Sequence, residues 1–143
     1  MSLFLWDNVP IFNNTFFSKT FEAPADRITI TFAFRHARQY WCLDDVSVID
    51  TLSNDELVIN GDFENHPSDG FIRCNAYGNT STSSFMPPPF SSTVQRSFCD
   101  GSVELPDYLS QPLNTEIGKL YKISFWLQNQ GNAPNGAQVV ISY

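Results

Sequence analysis

Two stretches of the chain alternate apolar and polar residues with a period of two, and no stretch sustains the 3.6-residue period of an amphipathic helix. In Arg27–Arg35, RITITFAFR, one face carries Ile28, Ile30, Phe32 and Phe34, and the other carries Thr29, Thr31, Ala33 and Arg35. In Leu120–Gln128, LYKISFWLQ, one face carries Tyr121, Ile123, Phe125 and Leu127, and the other carries Lys122, Ser124, Trp126 and Gln128. Successive side chains of an extended strand point to opposite sides, so each stretch predicts a strand with one buried face. Trp41–Val48, WCLDDVSV, and Leu57–Phe63, LVINGDF, predict two more, the first with two carboxylates inside it. A strand is also predicted over Ala137–Tyr143, with others near Leu3 and over Tyr108–Leu113. Asn114–Lys119 predicts a turn made permissive by Gly118. Asn60-Gly61 fits a tight hairpin turn, and the apolar residues after it fit an end-of-strand bend equally well.

Seven or eight short strands joined by turns predict an all-β fold, an antiparallel sandwich or jelly roll. Its core is expected to hold the inward sets above with Val46, Val48, Ile59 and Phe63. The 143 residues suit one domain. Thirteen Phe among 15% aromatics agree with sheet, and 42% apolar with 16% charged residues agree with a packed core. Eight Lys and Arg stand against fifteen Asp and Glu, which disfavours nucleic acid and anionic membrane as partners. No apolar run reaches the roughly 18 residues of a membrane span. The first ten residues lack the basic start of a signal peptide, and both ends read as cuts within a larger protein.

Residues 65–106 are the least regular, and a triple proline excludes helix and central strand there. Such a loop benefits from a staple, so a disulfide is expected between Cys74 and Cys99, with Cys42 a buried free thiol. No Cys and His spacing fits zinc. Arg35-His36-Ala37-Arg38 reads as a solvated hairpin tip.

Three segments carry a resemblance. They are Leu57–Asn65, LVINGDFEN, Asp107–Gly131, DYLSQPLNTEIGKLYKISFWLQNQG, and Tyr40–Val48, YWCLDDVSV. Together they resemble the galactose-binding-like jelly-roll modules grouped with family 4/9/22 carbohydrate-binding modules. In that family the N-G-x-F-E motif opens the domain and D-D-V-S-V closes it. Here the closing motif comes first. Residues 1–49 would be the closing strands, 50–56 a linker, and 57–143 the opening and middle strands of one permuted domain. The ends of such a domain lie close, so the last strand is expected beside the one near Leu3. The alternative is a swapped oligomer in which each half pairs with a neighbouring chain; a closed monomer is favoured by local concentration.

The resemblance also implies a structural calcium, held by Glu64 and Asp44 or Asp45, with the Asp62 carbonyl as a further ligand. Carboxylates gathered at one sheet edge repel without a cation or donors, and calcium suits such a site. Two carboxylates could also serve as a glycosidase pair, but no other acid or base motif joins them. The ligand candidates are Trp126 with Lys122 and Gln128, because an outward Trp on a sheet face can stack on a sugar ring. Tyr40, Tyr108, Trp41 and Tyr77 are further aromatic candidates. The expectation is a non-catalytic glycan-binding module of a secreted or cell-surface multidomain protein, flanked by similar repeats. The alternative is a structural or adhesive tandem-repeat module without a small-molecule site.

Overall fold

The alternating stretches become long strands flanked on both sides, where one face must be apolar throughout. The structure, a computed structural model, describes residues 1–65, 69–75, 84–86 and 96–143. Tyr77 and the triple proline lie outside the described residues. Within them the chain is all-β, with ten strands and no helix. The long ones are β1 (Ser2–Asp7), β2 (Phe12–Glu22), β3 (Arg27–His36) and β4 (Trp41–Asp50), then β8 (Asp107–Asn114), β9 (Leu120–Asn129) and β10 (Asn135–Ser142). The short ones are β5 (Ile72–Cys74), β6 (Ser84–Met86) and β7 (Ser97–Asp100). They form two antiparallel five-stranded sheets, ordered β1-β10-β3-β8-β5 and β2-β9-β4-β7-β6.

The sheets share one core. Phe125 of β9 meets Phe32 of β3 across the sandwich at 5.4 Å, edge to face, and also stacks on Phe17 of its own sheet at 5.8 Å. Every inward residue predicted on β3 and β9 is buried, as are Val46, Val48 and Phe63. The open side between the edge strands is closed by rings. Phe4 and Trp6 of β1 meet Phe17 of β2 at 6.2 and 5.0 Å. The Lys19 ammonium of β2 donates to the Leu3 carbonyl of β1. The last strand lies beside the first, with Leu5 opposite Gln138 and the Met1 ammonium donating to the Ile141 carbonyl.

Several expectations are corrected. Leu57–Phe63 is not a strand, and Ile59 is 63% exposed rather than core. The Gln111 side chain of β8 replaces a strand partner there: its Oε1 accepts from the Ile59 N–H, and its Nε2 donates to the Ile59 carbonyl. Asn60–Phe63 is a turn with both end residues at positive φ, so the bend rather than the hairpin forms. The disulfide joins Cys42 to Cys99, opposite each other on β4 and β7, while Cys74 is exposed and free. Register brings those sulfurs together, and a loop-length argument has no access to register. His36 is not at a solvated tip. It is buried, and its Nδ1 accepts from the Arg38 and Gln39 N–H groups. Burial holds its imidazole below the usual histidine pKa. Trp41 is also no surface platform: it is fully buried and donates from Nε1 to the Arg35 carbonyl. Among the described residues no helix is long and apolar enough to cross a membrane.

Candidate functional site

On β9 the alternation that buries Phe125 and Leu127 turns Trp126 to the outward face of its sheet. The neighbouring edge strand sets Phe16 directly opposite Trp126. Their rings lie 5.5 Å apart at 58°, and Phe16 is 49% exposed. The same face carries Ser124, Lys122 and Gln128 of β9, and Ser18 and Thr20 of β2 opposite them. An apolar ring pair rimmed by hydroxyls, an amide and an ammonium can stack on the C–H face of a ring ligand and hydrogen-bond its hydroxyls. Three of the expected ligand residues, Trp126, Lys122 and Gln128, are thus on one face. The other two are elsewhere. Tyr108 lies on the outward face of the opposite sheet, paired with Ala33. Tyr40 lies in the turn between β3 and β4, beside a hollow of about 170 Å³ lined also by Arg38 and Val103.

Phe16 was not singled out in the sequence. Its strand reads FNNTFFSKTFE, where adjacent Phe16 and Phe17 break the alternation. An edge strand has one neighbour and an open flank, so its pattern is weaker. The signal that would have found it is pairing with β9, which is not a local property.

The carboxylates divide. β4 is bulged between Asp44 and Ser47, with Asp45 at φ 47°. This turns Asp45 toward an open groove of about 390 Å³, lined also by Glu56, Asn60, Asp62 and Asn65. Asp44 is buried, and its Oδ1 accepts from the Asp45 N–H. Glu64 accepts from the Arg96 N–H through Oε1 at 2.8 Å. Among the described residues no three His, Cys, Asp or Glu side chains gather to hold a metal ion. Asp45 and Asp62 share the groove.

Glu56 has a structural part in that groove. Its Oε1 accepts from the Val48 and Val58 N–H groups at 2.9 and 2.8 Å, and its Oε2 accepts from the Ser47 hydroxyl. One carboxylate thus satisfies donors on β4 just past the bulge and on the segment after Glu56 itself. Beside it the Asp50 carboxyl caps the following turn, accepting from Leu52 N–H at 2.8 Å. That backbone donor leads the effects holding its pKa below the usual carboxylate value.

A further groove, of about 310 Å³, crosses the outward face of the β1-β10-β3 sheet. Its floor is Ala33 and Gly136, and its rim includes Leu5, Gln138 and Arg35, which sits 3.8 Å from Asp7. Comparison of the chain with protein-family models, with curated proteins and with solved structures finds no match in any of the three.

Proposed function

We propose that this is a non-catalytic carbohydrate-binding module of galactose-binding-like jelly-roll type, working within a secreted or cell-surface multidomain protein. The observation that carries the reading is the Phe16–Trp126 pair on the outward face of the β2-β9-β4 sheet. Lys122, Gln128, Ser124 and Ser18 supply polar contacts around it, and a soluble glycan is the ligand class it suits. A structural calcium ion would draw on Glu64 and Asp44 or Asp45, with the Asp62 carbonyl as a further ligand. The alternative of a structural or adhesive repeat draws on the other sheet, whose outward face carries Thr29, Thr31 and Ser110, with a 3.0 Å hydroxyl bond between the last two.

The test is a set of thermal melts of the wild-type chain over a panel of neutral and acidic soluble glycans, with and without calcium. A glycan at a hundred times its dissociation constant raises stability by about 2.7 kcal/mol. Trp126→Ala and Phe16→Ala are expected to remove that shift, while Tyr108→Ala retains it. No shift with any glycan would overturn the reading in favour of the structural repeat. No calcium shift would remove the metal from it.

A further inference from the structure

Asp100 ends β7 and Asp107 begins β8, so these carboxyls belong to different sheets and bracket the connection between them. Both are buried, at 2% and 3% exposure. Asp100 pairs with Trp41 of β4, and Asp107 pairs with Phe34 of β3, so both point into the sandwich beside large rings. Each keeps one carboxyl oxygen, Oδ1 of Asp100 and Oδ2 of Asp107, with no hydrogen-bond donor. Two ionised carboxylates have no donor for each other, and a proton held by one of them supplies it.

We propose that Asp100 and Asp107 form a proton-sharing latch between the two sheets, closed while one proton stays on the pair and loosened when it is lost.

The surroundings favour retention of the proton. Burial, then the Asp107 charge, pushes the Asp100 carboxyl up to about 7. Two influences oppose it in part: Arg73 of β5, whose guanidinium lies 5.6 Å over the Phe98 ring, and then the backbone hydrogen bond from Gly101. On the remaining strands packed here, β4 presents Trp41, β6 contains no titratable residue, and β3 presents His36, whose backbone N–H donates to the Ser102 carbonyl in the connection. The sign follows from a raised folded-state value. Below the ordinary carboxylate range both folded and unfolded chains are protonated and the latch contributes fully. Its contribution falls as pH rises and is lost once pH passes about 7. Loosening should appear first in the connection 101–106.

The test compares wild type with Asp100→Asn, whose amide supplies the donor at every pH. Wild type is expected to melt about 5 °C lower at pH 8 than at pH 5.5, and the variant to lose that dependence and melt above wild type at pH 8. Amide exchange at Gly101 and Ser102, corrected for intrinsic base catalysis, should speed up about tenfold over that range in wild type only. An unchanged pH dependence in the variant would overturn the proposal. Should the variant not fold, carboxyl-carbon NMR of wild type decides: one of the pair titrating near neutrality supports the latch, and both titrating in the ordinary acid range overturns it.

Discussion

Replacing Cys42 and Cys99 together by alanine tests the register of β4 against β7. The bridge joins residues 57 apart in sequence. Cross-linking a loop of that length removes unfolded-state entropy worth about 4 kcal/mol in the chain-entropy model. Both cysteines are fully buried, so the small cavities left by alanine add to the loss. A domain of this size commonly has about 5–15 kcal/mol in total, so the double variant should remain folded but weakened. Urea unfolding with tryptophan fluorescence reads the change. With a slope of about 2 kcal/mol per molar, the midpoint should drop by about 2 M. Cys74→Ser should leave it unmoved, and native-state alkylation should modify Cys74 alone, the exposed free thiol. A drop of that size in Cys74→Ser, with the double variant unchanged, would refute the reasoning and with it the pairing of Cys42 opposite Cys99.

Two other perturbations probe the bulge beside the acidic groove. In Gly61→Ala the new Cβ would stand 1.8 Å from the Val46 carbonyl oxygen, so backbone must move; a loss of about 3 kcal/mol by chemical denaturation is expected, and a loss within 0.5 kcal/mol would refute that close approach. Glu56→Ala strips the acceptor from the Val48 and Val58 N–H groups and should cost about 2 kcal/mol, with faster exchange at both amides, whereas unchanged exchange would show that water takes its place.

Much of the fold was legible because burial on one face of a strand leaves a period-two trace in the chain itself. β3 and β9 carry that trace cleanly, and the structure buries every inward residue predicted on them. Failures occurred where a side chain or a distant strand did the work of a local pattern. Leu57–Phe63 has strand-like composition, yet Gln111 and Glu56 satisfy its backbone from outside, leaving Ile59 exposed. β2 lacks clean alternation, because as an edge strand it buries only part of one face. For the candidate site, Trp126 was legible from its place on the polar face of β9. Phe16 was not, since nothing in residues 12–22 records which residue will stand opposite it.

The all-β character and the two central inward faces thus follow from alternation, which is local: each residue's side is set by its neighbours along one extended strand. Which strand lies beside which is a long-range matter of register, and register set Phe16 against Trp126 and Cys42 against Cys99, while the packing of one sheet on the other brought Asp100 near Asp107. A shift of one residue in either pairing would keep the composition and the period and destroy the juxtaposition that pairing sets, because it sends each side chain to the opposite face.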